Sequence, residues 1–202
     1  MKTRYAILGL TALSIGLGPT LEAAGIVNYV RPVVAYAQPT ESEADSGAGG
    51  FLQFGGGDET YDLSLEIGYL KFDQTIQVDE IYSGEEKLEF VPLLITPKWR
   101  VNLDQKGTFA FLIGPSVGLT YAAVRVNVFE NDERIYRITD NGWSFTYGLD
   151  AQFRISPSEK IDLTLGYKFL LISGIVVEDE NIRVDTGDQK SHILYAGIGF
   201  HF

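Results

Sequence analysis

The sequence predicts an all-β fold: an antiparallel up-and-down barrel, eight strands around, that crosses a membrane. Three observations predict it. The last twelve residues form an alternating strand that ends the chain on Phe202. Upstream segments repeat the alternation, and their polar faces carry acids and bases in equal number. The connections between these segments are short and long in turn. Period-two patterning marks strands. One face toward lipid and one toward a lumen mark a transmembrane β-barrel.

At the amino terminus, Lys2 and Arg4 precede the apolar run Tyr5–Leu17. This is the pattern of an export signal peptide, and the run is too short to span a membrane as a helix. The preferred cut follows the small-x-small triplet Ala35-Tyr36-Ala37, so residues 1–37 are expected to be removed. A cut near Ala23 or Ala24 is the rival. Residues 38–50 carry three acids and no base and read as a flexible polar leader. The barrel is then expected over 51–202.

Phe51–Gly55 is a short strand candidate, and Gly55-Gly56-Gly57 reads as a flexible turn. Tyr61–Phe72 sets Tyr61, Leu63, Leu65, Ile67 and Tyr69 against Asp62, Ser64, Glu66 and Gly68. Val91–Leu103 has an apolar odd face, with Lys98, Arg100 and Asn102 opposite. Pro92 and Pro97 each remove a ladder donor there, so bulges are expected. Phe109–Tyr121 alternates apart from Leu112. Trp143–Ile155 alternates cleanly, with Asp150, Gln152 and Arg154 on its polar face. Ile161–Leu171 follows, with Asp162, Thr164, Gly166 and Lys168 inward. The final strand presents Leu194, Ala196, Ile198, Phe200 and Phe202 on one face.

These are six strong strands, and such barrels have an even number with eight the usual minimum. Phe51–Gly55 supplies one more. The other is Ile26–Tyr36 under the early cut, or an irregular piece of 38–50. Residues 104–107 and 156–160 are tight turns. Residues 73–87, 127–141 and 178–190 are long and polar, as expected of outer loops. The carboxyl terminus then lies on the inner side.

The polar face carries Asp62, Glu66, Lys98, Arg100, Asp150, Arg154, Asp162 and Lys168: four acids and four bases among glycines and hydroxyls. An eight-stranded barrel is just wide enough for side chains to fill it, so these charges are expected to plug the lumen. The alternative is a narrow water path. Trp99, Trp143, Tyr61, Tyr121 and Tyr147 lie toward strand ends, as interfacial belts require.

The stretches Leu-Gly-Tyr-Lys-Phe at 165–169 and Gly-Ile-Gly-Phe-His-Phe at the end carry a resemblance. From about Tyr61 to Phe202 the chain resembles the small bacterial outer-membrane β-barrel proteins, OmpA-like and opacity-protein-like. The resemblance implies a monomeric barrel in outer-membrane lipid. It implies roles in membrane integrity, adhesion or small-solute passage. It also implies that the insertion machinery reads Phe202, Phe200, Ile198, Ala196 and Leu194. No peptidoglycan-binding domain follows the barrel, so a wall-anchoring role is not implied.

Net charge is −11, and there are no cysteines and two histidines. The acidic balance argues against nucleic acid as a partner. Without cysteines there is no disulfide framework. No phosphate loop, calcium-site spacing or metal cluster is evident, so no cofactor is expected. His201 is expected to face the lumen at the inner end. By parity His192 and Ser173 both face lipid near the outer rim, and such a pair could serve a lipid hydrolase. A structural or surface-interaction barrel is the leading reading. A pore and a lipid-modifying enzyme are the alternatives.

Overall fold

A computed structural model of the protein describes residues 28–40, 45–77, 82–130, 133–174, 176–179, 182–185 and 188–202. Eight antiparallel strands close a barrel in the order β1 (Tyr29–Pro39), β10 (Gln189–His201), β7 (Ile161–Ile172), β6 (Glu133–Ser158), β5 (Phe109–Glu130), β4 (Tyr82–Asn102), β3 (Tyr61–Gln77), β2 (Gly47–Gly57). A separate hairpin, β8 (Val176–Asp179) and β9 (Ile182–Asp185), lies between β7 and β10 in sequence. The eight-stranded all-β barrel expected from the sequence is thus present.

Its first two strands differ from the expected ones. β1 pairs with β10 from Tyr29↔His201 to Pro39↔Ser191 and with β2 along its other edge. The barrel therefore begins at Tyr29, not at residue 51, and residues 38–39 and 47–50 are strand where a leader was expected. Without β1 the sheet would have two open edges. The residues Gly55–Gly57 end β2 in register with Ser64–Asp62 and do not form the turn.

β4 runs through Pro92 and Pro97 without the expected bulges. Pairing to β3 lapses beside Pro92 and pairing to β5 lapses beside Pro97, yet the register is the same on both sides of each gap. Each proline removes one donor, and the flanking pairs hold the strand straight. The recorded shifts lie elsewhere, at Val128/Phe129 and at Ile155/Ser158.

The outer wall is an apolar band. Tyr61, Leu63, Leu65, Ile67 and Tyr69 of β3 are exposed, as are Trp99 and Val101 of β4 and Trp143, Phe145, Tyr147 and Leu149 of β6. From Tyr61 to Tyr69 the strand advances about 26 Å along its own axis, which at a tilt of about 40° rises about 20 Å through an apolar band about 25 Å tall. Tyr121 and Trp143 pack edge to face at 5.5 Å in one belt. The turns at 58–60, 103–108 and 159–160 lie with the carboxyl terminus at one end, where the His201 amide donates to Lys160 O.

At the other end the strands are unequal. β7, β10, β1 and β2 stop at Ile172, Gln189, Pro39 and Gly47, whereas β3–β6 continue as a four-stranded sheet. The expected loops at 73–87 and 127–141 are thus mostly paired strand. Val124, Val126 and Val128 prolong the alternation, and β5 stays paired to β6 as far as Glu130↔Glu133. Among the described residues no strand pairs with the far edge of β6 from Glu133 to Ser144, since pairing to β7 begins at Thr146.

Candidate functional site

The side chains with chemistry converge in the lumen. Alternation sends every second residue of each strand inward, and the inward charged residues lie in two tiers. Among the described residues eight charged side chains are buried: Arg31, Asp62, Glu66, Lys98, Asp150, Arg154, Asp162 and Lys168. Four are acids and four are bases, so the buried charge sums to zero.

The lower tier lies near the short turns. Arg31 grips Asp162 with two parallel bonds, Nε–Oδ1 at 3.0 Å and Nη2–Oδ2 at 2.7 Å. Its Nη1 donates to Gln53 Oε1 at 3.0 Å, and its guanidinium stacks 4.4 Å over the Tyr29 ring. Asp162 also meets His201 Nε2 at 2.6 Å. Beside this pair, Arg154 Nη2 donates to Asp62 Oδ2 and the Tyr29 hydroxyl to Asp62 Oδ1, both at 2.8 Å.

The upper tier is a four-membered ring. Lys168 Nζ lies 2.6 Å from Glu66 Oε2 and 2.9 Å from Asp150 Oδ2. Lys98 Nζ lies 3.9 Å and 3.8 Å from the same two carboxylates. The Tyr195 hydroxyl donates to Asp150 Oδ1 at 2.8 Å. Such a network satisfies most of its members from within, which a buried charge requires.

Above the ring the lumen is mostly apolar, with the hydroxyls of Thr120, Thr146, Ser144 and Ser191 buried in it. Phe51, Leu70, Phe72, Phe90, Leu94, Leu170, Ile172 and Ile193 form one buried cluster. Glycines on adjacent strands make room for the large rings. Gly68 is registered with Phe51 and Gly166 with Tyr195. A Cβ at Gly166 would lie 2.2 Å from the Tyr195 ring.

Seven of the eight charges expected in the lumen are in this network. Arg100 is the exception. It is half-buried and bonds Asn102 Oδ1 at 2.9 Å and Gly107 O at 3.3 Å. It stands one inward step below Lys98, where the barrel opens toward the turns. Arg31 fills the eighth place. Sequence reasoning missed it because it lay in the segment expected to be cleaved, although the alternation of Tyr29, Arg31, Val33 and Ala35 was legible.

His201 faces the lumen, as expected. Ser173 and His192 do not meet. His192 is registered with Phe169, four residues below Ser173, a separation of about 13 Å along the strand. His192 Nδ1 is 2.5 Å from the Tyr167 hydroxyl, and Ser173 Oγ donates to Phe145 O at 2.8 Å. This arrangement cannot relay a proton from the serine to the imidazole.

The family model for the outer membrane protein beta-barrel domain matches residues 9–202. The chain belongs to that family. It is a bacterial outer membrane protein, held in membrane lipid by its apolar band. Among solved structures, Neisserial surface protein A is 15% identical with a TM-score of 0.57, over 86% of this chain and 96% of that one. Ail of Yersinia pestis is 13% identical with a TM-score of 0.49, over 88% of this chain and 100% of that one. The barrel domain of Pseudomonas aeruginosa OprF is 11% identical with a TM-score of 0.47, over 88% and 99%. The first of these likenesses shows the fold alone. A comparison with curated protein sequences finds no match.

Proposed function

We propose that this outer membrane protein is a closed, monomeric surface-interaction barrel, whose working element is the sheet β3–β6 that stands above the membrane. The observation that carries this reading is the unequal strand length. About 30 Å of paired strand rises from the Tyr121–Trp143 belt to Glu130 and Glu133. A barrel that served only to fill the membrane would gain nothing from this extension. Among the described residues the edge of β6 from Glu133 to Ser144 has no paired strand, and it offers main-chain groups to an extended segment of a partner, a common mode of peptide recognition.

Two features support a lumen closed to ions. The charged tiers are fully buried and neutral as a set. The apolar cluster fills much of the outer half, and the buried hydroxyls of Thr120 and Thr146 there bond each other at 2.7 Å. Water and ions need polar walls or a wide path. The test is single-channel conductance of the refolded barrel in a planar bilayer, after folding is confirmed by the mobility of unboiled and boiled samples. Silence is expected, and steady discrete openings would replace this reading with a pore.

A further inference from the structure

The lipid-facing wall changes character at its outer rim. Along β1, β10 and β7 the outward side chains are apolar at Val34, Leu194 and Leu165. Toward the outer ends they become Tyr36 and Gln38, His192 and Lys190, and Tyr167. Gln38 is registered directly opposite His192, so their Cβ atoms are about 5 Å apart. Lys190 lies two residues from His192 on the same face and diagonal to Gln38, and its carbonyl accepts from the Thr40 amide at 2.9 Å. His192 stands three residues inside the end of β10, about 10 Å along the strand. Amphipathic rings such as Tyr36 and Tyr167 mark the level of the headgroups.

Hydrogen-bond directions make this cluster a set of donors. The His192 ring packs on the rings of Tyr167 and Phe169, centroids 5.9 and 5.3 Å away. Its Nδ1 meets the Tyr167 hydroxyl at 2.5 Å. The phenol donates and Nδ1 accepts, so the ring proton stands on Nε2. The Tyr36 hydroxyl likewise donates to Gln38 Oε1 at 3.1 Å, which turns the Gln38 amide nitrogen outward from that bond as a donor. Lys190 makes no ion pair among the described residues. Asp188, two residues before it, accepts from the Gly174 amide at 3.1 Å. The acceptors of the cluster are thus taken, and three donors remain, one of them charged.

We propose that this rim binds the phosphate of an outer-leaflet lipid headgroup. Lys190 Nζ supplies the charge, and His192 Nε2–H and the Gln38 amide supply the other bonds. Charge-assisted bonds to phosphate oxygens are the strong ones, and three donors match three terminal oxygens. The acyl chains lie below, on Val34, Leu194 and Leu165. A cation finds no acceptor here, because Gln38 Oε1 and His192 Nδ1 are already bonded. The rim is separate from the outer sheet β3–β6, so it stands or falls independently of the surface-interaction reading.

The test uses the refolded full-length barrel in a nonionic detergent, with folding of each variant confirmed by gel mobility. It is titrated with dihexanoyl phosphatidic acid and followed by the His192 ring nitrogens and the Gln38 side-chain amide. Before lipid is added, the ring proton is expected on Nε2. Saturable shifts at both residues are then expected. Lys190→Gln should weaken binding about tenfold, the loss of one charge-assisted contact. His192→Phe keeps a stacked ring and removes the donor, and should weaken it about fivefold. Equal shifts with dihexanoylglycerol, which has no phosphate, would overturn the proposal. Equal affinity for inorganic phosphate would make this a site for free anions and not for lipid. Equal weakening in Lys106→Gln, at the inner end, would reduce the binding to diffuse charge attraction. Unchanged affinity in Lys190→Gln and His192→Phe, or the absence of shifts, would also overturn it.

Discussion

Arg31 and Asp162 are 131 residues apart in the chain and meet as a bidentate pair, Nε–Oδ1 at 3.0 Å and Nη2–Oδ2 at 2.7 Å. Both side chains are fully buried. The pair joins β1 to β7 across the intervening β10, so it ties the first strand of the barrel to the seventh through the lumen. Removing one member leaves an uncompensated buried charge, at a cost of about 3–5 kcal/mol. Arg31→Ala should therefore lower the urea midpoint of the bilayer-embedded barrel, read from gel mobility. The double change Arg31→Leu with Asp162→Leu should recover part of the loss. An unchanged midpoint in Arg31→Ala would show that the pair adds nothing to stability.

The place of β1 bears on export. A cut after Ala37 would remove most of the strand that pairs β10 to β2. We predict that the mature chain begins before Asn28, consistent with a cut near Ala23 or Ala24. Mass spectrometry of the protein from isolated outer membranes measures this directly. In refolding, a chain starting at Gly25 should become heat-modifiable, and one starting at Gln38 should not.

Gly166 lies under the Tyr195 ring, and a Cβ there would approach Cζ to 2.2 Å. Overpacking of this kind costs about 1–3 kcal/mol. Gly166→Ala should destabilise the barrel by that amount, and Tyr195→Leu in the same chain should relieve the steric part. If Gly166→Ala unfolds at the parent denaturant concentration, the ring is not confined as described.

Asp58 caps the turn between β2 and β3. Its Oδ1 accepts from the amides of Thr60 at 2.7 Å and Tyr61 at 2.8 Å. These donors hold its carboxyl below the usual carboxylate range. A lowered folded value means that the contribution is full above the unfolded value of about 3.9. It is lost as pH falls through the lower folded value. The amide resonances of Thr60 and Tyr61 should therefore titrate together below that pH. In Asp58→Ala they should not titrate, while the rest of the barrel is unchanged.

Phe200, Ile198, Ala196 and Leu194 face outward along β10, and Phe202 is exposed just beyond its inner end. We predict that they are read during insertion and do not hold the fold. Phe202→Ala should reduce the amount assembled in cells several-fold, yet refold in detergent to the same unfolding midpoint. Equal losses in both assays would make Phe202 a packing residue.

Much of this was legible in the sequence, because a strand facing lipid on one side and a lumen on the other must alternate. Trp143–Ile155, Ile161–Leu171 and the terminal strand follow from period alone. So do the inward positions of Asp62, Glu66, Lys98, Asp150, Arg154, Asp162 and Lys168, since parity fixes the face of each.

Other features came only with closure. Period says which face a residue occupies but not its partner. Register across the barrel pairs Arg31 with Asp162, sets Arg100 below the network and separates Ser173 from His192. The outer sheet was hidden because charged residues such as Glu85, Arg125 and Arg137 resemble loop composition, while their pairing depends on the neighbouring strand. Alternation alone fixes a membrane barrel with a charged interior. Closure assigns Tyr29–Pro39 as the first strand, because an open sheet has two unpaired edges and β1 is the segment that satisfies both.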